Sequence, residues 1–211
     1  MLAPIQARFG GLTWADLIVL AGTVAAEEAG APPMRFCGGR SDAEDGAGSE
    51  FVEPTLGGSK ATASGLKNRI RIMGLSYRAF AALHGGGHSL GKMHRERSGF
   101  EGSWTADPTR LSNGFFRTLL SEEWEEHQVP GTGRSQYKAK GRDLFMLEVD
   151  LLFRYDDELL AIAQDYASDN DLFLRDFAAA WTELMNADRF AGSAGNVCDG
   201  PQAADAPGAP G

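Results

Sequence analysis

Four histidines carry most of the chemical interest in this chain: His84, His88, His94 and His127. Three of them fall within eleven residues, in the run Leu83-His84-Gly85-Gly86-Gly87-His88-Ser89-Leu90-Gly91-Lys92-Met93-His94. Imidazole is a base, a hydrogen-bond partner and a metal ligand at neutral pH. Glycines, lacking Cβ, let a backbone come close to something bulky and flat. Three chemistries compete for the segment. In the first, Gly87-His88-Ser89-Leu90-Gly91 fits the G-x-S-x-G nucleophile elbow and His84-Gly85-Gly86-Gly87 fits the HGGG oxyanion motif. A serine elbow needs a buried strand before it, yet Tyr77 to Leu83 is alanine-rich and helical in pattern. The oxyanion loop should also lie well upstream of the nucleophile. In the second, His84 and His88 have the spacing of a zinc helix. Three glycines between them are expected to break a helix, and the general-base Glu of H-E-x-x-H is missing.

The third chemistry is haem. One neutral imidazole can hold haem iron from one side. A buried carboxylate on its other nitrogen fixes the tautomer and makes the ligand more electron-rich. A large aromatic can pack beside it. His88, Asp150 and Trp104 supply these three groups.

The segment from Gly86 to Thr105 (Gly86-Gly87-His88-Ser89-Leu90-Gly91-Lys92-Met93-His94-Arg95-Glu96-Arg97-Ser98-Gly99-Phe100-Glu101-Gly102-Ser103-Trp104-Thr105) closely resembles the proximal haem segment of class I peroxidases. These are ascorbate peroxidase, cytochrome c peroxidase and catalase-peroxidase. Leu2-Ala3-Pro4-Ile5 and the stretch Trp14 to Gly22 resemble the helix that enters the pocket in that family. Gly39-Arg40-Ser41-Asp42 resembles its G-R-x-D turn. Met146-Leu147-Glu148-Val149-Asp150 resembles the segment bearing the proximal aspartate, and Asp176 to Trp181 the final helix. The likeness covers residues 2–190 in several separate motifs in the same order.

The resemblance implies a role for each matching residue. His88 would be the proximal iron ligand of haem b, and Asp150 would accept a hydrogen bond from its other nitrogen. Trp104 would pack beside the imidazole, where cytochrome c peroxidase carries a radical. His94 would lie near a haem propionate. Arg97 matches the arginine that holds ascorbate at the haem edge, which favours an ascorbate-like donor. Ser89, Thr105, Asp107 and Ser112 fall where ascorbate peroxidase binds a proximal monovalent cation, with Ser112 in place of an aspartate. His84 and His127 receive no role. The implied activity is reduction of hydrogen peroxide with a small electron donor.

The family also has a distal helix with Arg four residues before His, serving charge stabilisation and acid–base catalysis. Here the residues four before each histidine are Phe80, His84, Leu90 and Glu123. The resemblance places that helix ahead of the region matched by Pro4, so the expectation is a peroxidase fold lacking its first helices. The G-R-L-P-D-A haem-edge run is replaced by Ser49-Glu50-Phe51-Val52-Glu53-Pro54. Either a longer peroxidase or a non-catalytic haem-binding module accounts for this pattern.

The elements that must position these residues read as mainly α-helical. Helices are expected from Trp14 to Ala29 (apolar face Leu17, Leu20, Val24), Ala61 to Ile72, Tyr77 to Leu83, Ser112 to about Glu126, Asp156 to Ala167 and Asp169 to Asn186. A small hairpin is expected over Gln136 to Met146 around Gly141. Residues 37–65 read as a long glycine-rich loop. Residues 1–190 read as one peroxidase domain and 191–211 as a disordered Gly/Ala/Pro tail. Trp14, Trp124 and Trp181 read as packing residues, and the thiols of Cys37 and Cys198 as incidental. The chain has 211 residues and a net charge of −9, which disfavours nucleic acid and anionic membrane as partners. No secretory signal or membrane span is visible, so the expected location is intracellular, in cytoplasm or an organelle.

Overall fold

The computed structural model describes residues 1–47 and 62–187. The Ser49–Pro54 run, residues 48–61 of the expected loop and the tail lie outside these residues. Among the described residues the order is α1 (Ala3–Gln6), α2 (Trp14–Glu28), α3 (Ala63–Ile72), α4 (Tyr77–Ser89), α5 (Arg95–Ser98), α6 (Gly114–Ser121), β1 (Trp124–Gln128), β2 (Ser135–Ala139), β3 (Phe145–Met146), α7 (Glu148–Tyr155), α8 (Asp157–Ser168) and α9 (Asn170–Asn186). The fold is mainly α, with one three-stranded antiparallel sheet in the order β1-β2-β3. No helix among the described residues is long and apolar enough to cross a membrane.

Helix starts follow from short polar side chains. Thr13, Thr62 and Ser76 hydroxyls accept the N–H groups of Asp16, Gly65 and Ala79. The Asp156 and Asp169 carboxylates accept those of Leu159 and Leu172. Each satisfies one of the donors that a helix N-terminus leaves without an internal partner. Asp42 adds a second cap on α2, accepting from the backbone N–H of Trp14 at 2.9 Å and of Ala15 at 2.8 Å.

Three expectations about elements are corrected. First, α4 does not stop at Leu83 but runs through Gly85-Gly86-Gly87 to Ser89. Burial of its glycine face against Phe115, Phe116, Leu111 and Phe177 outweighs the poor helix propensity of glycine. Second, α6 ends at Ser121, and Trp124 to Gln128 is a strand, held by pairing of Trp124 with Ala139 through to Gln128 with Ser135. The expected hairpin exists as β2–β3, with Tyr137 opposite Met146. Third, the outer face of α2 is not core: Trp14 is 41% and Val24 47% exposed, while Asp16, Leu17, Thr23 and Ala26 are buried. Trp181 does pack: its Nε1–H donates to Thr23 Oγ1, and its ring lies over Gly22. Cys37 is buried and carries no free thiol.

The core sits between α4 and the helices α6, α8 and α9 that pack on it. Phe115, Phe116, Phe153, Phe173 and Tyr166 are fully buried there. Phe116 stands edge-on to Phe115, Phe153 and Phe173, a geometry that suits the aromatic quadrupole.

The Gly39–Asp42 turn is tied to α2 by a buried ion pair. Asp16 accepts from Gly39 N at 2.7 Å, Arg40 N at 3.2 Å and Arg40 Nη1 at 2.9 Å. The Arg40 guanidinium also donates to the carbonyls of Cys37 and Met185, joining this turn to the end of α9. Burial by itself would raise the Asp16 pKa, but the Gly39 N–H and the Arg40 contacts together hold it below the usual 3.8. A carboxyl with a depressed folded-state pKa stabilises the fold above its unfolded value. That stability is lost as pH falls through the folded value. The expected result is that Asp16→Asn is less stable than wild type at neutral pH by about 1.5–3 kcal/mol, the size of hydrogen bonds to a charged group. The difference shrinks below about pH 4, because only wild type loses an ionised carboxylate there. Urea unfolding of both proteins between pH 7 and pH 3 measures it.

Candidate functional site

α4 projects His84 and His88 from one face, a single turn apart, towards the first turn of α7. Asp150 is the third residue of α7, and its Oδ2 reaches back to the N–H of Leu147 at 2.7 Å. This is half of a capping box, and it fixes the carboxylate while starting the helix. Trp104 comes from the loop after α5. Two isolated bridges hold that loop, Met93 with Gly102 and Ser103 with Leu144. Gly102 sits at φ +87°, and a Cβ there would run into the Phe145 ring, so glycine is required for the close approach.

These elements meet on one carboxylate. Asp150 is completely buried. Its Oδ1 lies 2.9 Å from His88 Nδ1 and 2.6 Å from His84 Nε2. Its Oδ2 accepts from Trp104 Nε1 at 2.9 Å in addition to Leu147 N. Four donors therefore fill the roughly four lone-pair sites a carboxylate offers. The His88 and Trp104 rings stack with centroids 4.1 Å apart and planes 17° from parallel.

The electrostatics follow from the burial. Burial pushes the Asp150 pKa up, but the two histidines overcome this, His88 first, and the carboxyl is held far below its usual range. His84 is pushed down, by burial first and then by its neighbour His88, against the pull of Asp150. His84 is thus neutral, with its Nε2–H donated to Asp150. The His88 side chain is 21% exposed against 4% for His84. With Nδ1 bound to Asp150, His88 keeps Nε2 as its remaining nitrogen. Of the two imidazoles, His88 is the one placed to bind an outside group.

The other expected residues are arranged differently. His94 immediately precedes α5, makes no side-chain cap bond and is half exposed, with Nδ1 3.7 Å from Glu96. Arg97 is exposed on α5. Neither forms a hydrogen bond or ion pair with the cluster among the described residues. Of the residues expected around a cation, Thr105 and Ser89 bond each other, Asp107 bonds Thr109, and the Ser112 hydroxyl accepts from Gly114 N. Thr105 Oγ1 donates to the Ser89 carbonyl, and Asp107 Oδ1 accepts from the Thr109 hydroxyl and N–H. An open cavity of about 650 Å³ beside Thr105, Asp107 and Ser112 is also lined by Arg117, whose positive charge opposes a cation. His127 pairs with Glu101, 2.9 Å apart.

Ser89 is fully buried, and its Oγ lies 2.7 Å from the carbonyl oxygens of Gly85 and Ser112. It is a helix residue bonded to backbone, with none of the exposure of an elbow nucleophile. His84, His88 and Asp150 do offer ligand atoms within 4.8 Å of one another. The glycine argument against a zinc helix does not hold, because α4 continues through them. The separations of 2.6 and 2.9 Å are hydrogen bonds, however, and both are complete without an ion. His84 is the residue that sequence reasoning passed over. Its signal was the four-residue spacing from His88, discounted because of the glycines between.

A protein-family model for peroxidase matches residues 1–169. The chain belongs to the peroxidase family. A protein of Pyricularia oryzae named as a heme-binding peroxidase is 40% identical over 190 residues, covering 87% of this chain and 62% of that protein. One of Debaryomyces hansenii with the same name is 35% identical over 198 residues, covering 93% of this chain and 45% of that protein. A mitochondrial cytochrome c peroxidase of Pyricularia oryzae is 35% identical over 184 residues, with 87% and 50% covered. The chain thus spans about half to two thirds of the length of these relatives. The class I resemblance read from the sequence agrees with these matches, and the arrangement of His88 and Trp104 around the buried Asp150 lies within the matched residues.

Proposed function

We propose that this peroxidase-family chain binds haem b through His88 Nε2 and serves hydrogen-peroxide-dependent oxidation of a small reductant. The observation that carries the proposal is the His88 imidazole held between the Asp150 carboxylate and the Trp104 indole, with Nε2 left over. The donor chemistry fits haem. A neutral imidazole with its tautomer fixed by a carboxylate is the kind of donor that would hold haem iron. When bound, the haem would supply the redox chemistry.

This chain's own residues do the rest. Asp150 holds the proton at His88 Nδ1 and so directs the Nε2 lone pair outward. Trp104 fixes the plane of the imidazole by stacking, and Asp150 fixes Trp104 through its indole N–H. His94, exposed at the start of α5, would meet a propionate. Arg97, on the same short helix, would meet an anionic reductant of the ascorbate class. The exposure of both side chains supports these two assignments, since each needs to reach an outside anion.

The test is titration of the chain with haem, followed in the Soret region, for wild type and His88→Ala. The expected result is a Soret band typical of a histidine-bound haem in wild type and its loss in His88→Ala. Full haem affinity in His88→Ala overturns the ligand assignment. Peroxide and ascorbate are then added to the loaded wild type. A bound haem without ascorbate oxidation removes the oxidation half of the proposal and leaves the binding half. Arg97→Ala is expected to slow ascorbate oxidation while leaving the Soret titration unchanged.

A further inference from the structure

His84 is an unusual neighbour for a ligand imidazole. It lies one helical turn before His88, its ring centroid 4.2 Å from that of His88. Phe80, Phe115 and Phe153 surround it at centroid distances of 5.6, 5.7 and 5.1 Å. A leucine would fill such an apolar site without the desolvation cost of a polar ring. The histidine instead spends its N–H on Asp150 Oδ1, the same oxygen that binds His88 Nδ1, and its 2.6 Å separation is the shorter of the two.

We propose that His84 is a positioning residue that sets the donor strength of His88 by competing with it for Asp150 Oδ1. The proposal rests on the haem reading above only for its effect on iron. The sharing itself concerns groups within this chain. A carboxylate oxygen with one N–H partner draws the proton of that partner towards itself. Given two partners, it draws each less. His88 Nδ1–H is therefore less polarised, its ring carries less imidazolate character, and Nε2 is a weaker donor. A weaker axial donor stabilises the ferric state less, and hydrogen bonding behind an axial ligand is a known lever on haem potential. Trp104 and Leu147 load Oδ2 in the same sense. His84 is the added donor on the oxygen that faces the ligand.

The experiment has two arms and two variants. His84→Leu removes the competing donor, while His84→Gln keeps an N–H near the position of Nε2. The first arm needs no haem: the Nδ1–H proton of His88 is observed by NMR in the free chain. It is expected to move downfield in His84→Leu, as its bond to Asp150 strengthens, and to return towards wild type in His84→Gln. The second arm loads haem and follows reduction by spectroelectrochemistry. His84→Leu is expected to lower the ferrous-to-ferric ratio at a fixed potential about tenfold, which is about 59 mV for one electron. The iron–imidazole stretching frequency should rise in parallel, and His84→Gln should recover most of both changes.

A purely structural His84 would alter stability but leave the His88 proton, the potential and the stretching frequency unchanged, and that result overturns the proposal. A His88 proton that moves in a chain that binds no haem upholds the sharing and overturns the haem reading instead. Should His84→Leu fail to fold, an unshifted His88 proton in a haem-free His84→Met variant overturns the proposal, and a downfield shift there supports it.

Discussion

Asp150→Ala is expected to cost the fold about 3–5 kcal/mol, the usual penalty for removing one partner from a buried charged network. The loss is large because four donors converge on the carboxylate: His84 Nε2, His88 Nδ1, Trp104 Nε1 and Leu147 N. Each buried donor left without an acceptor costs about 1–3 kcal/mol. Relief of the desolvation of the Asp150 charge offsets part of that sum. The residues losing their partner come from α4, the Trp104 loop and the start of α7, so the variant loosens three elements at once. Against a typical total stability of about 5–15 kcal/mol, the change is a large fraction of the whole. Urea unfolding followed by circular dichroism gives the size, and an unchanged urea dependence shows that the unfolded reference is the same. Asp150→Asn keeps one acceptor oxygen and is expected to cost less. A loss below about 1 kcal/mol for Asp150→Ala would mean that the network does not hold these elements together.

The site was legible in the sequence to different depths. His88, Trp104 and Asp150 were assembled by a resemblance spread along the chain, and the structure brings all three into contact. Periodicity located α2, α3, α8 and α9 to within a few residues, and each begins after a Thr or Asp whose side chain accepts the N–H three residues on. What failed was propensity taken alone. Gly85-Gly86-Gly87 read as a break, and only the three-dimensional packing of Phe116 and Phe177 makes that segment helical. His84 was lost with it, since a histidine ahead of a loop has no fixed relation to His88, whereas a histidine one turn earlier on a helix does. Trp124 to Glu126 read as the end of a helix because its acids and tryptophan have no clear strand alternation. Its partner strand, not its own sequence, decides its conformation. α7 carries the same lesson: Glu148 to Tyr155 is short, and its identity as a helix depends on the Asp150 cap and on burial of Val149, Leu151 and Phe153.

Replacing the three glycines of α4 one at a time should separate packing from propensity by the sign of the effect. In an exposed helix, Gly→Ala stabilises by about 1 kcal/mol, since alanine loses less backbone entropy. Gly87 is such a position, exposed and with nothing within 4 Å of an added Cβ, and Gly87→Ala is expected to gain about that much. At Gly85 a Cβ would fall 2.3 Å from Phe116 Cε2, and at Gly86 2.3 Å from Phe177 Cε2. Neither ring has room to retreat. Phe116 is fully buried among Phe115, Tyr166 and Phe173, and Phe177 is wedged between Phe173 and Trp181. Overpacking costs about 1–3 kcal/mol and at times more, which exceeds the propensity gain. Gly85→Ala and Gly86→Ala are therefore expected to destabilise by about 1–2 kcal/mol each, opposite in sign to Gly87→Ala. Urea midpoints of the three haem-free proteins decide it. The same separation bears on function, because displacing Phe116 or Phe177 moves α6 or α9 against the helix that carries both imidazoles. A stabilised Gly85→Ala or Gly86→Ala would show that the glycines are not there for close packing, and that α4 holds His84 and His88 one turn apart for some other reason.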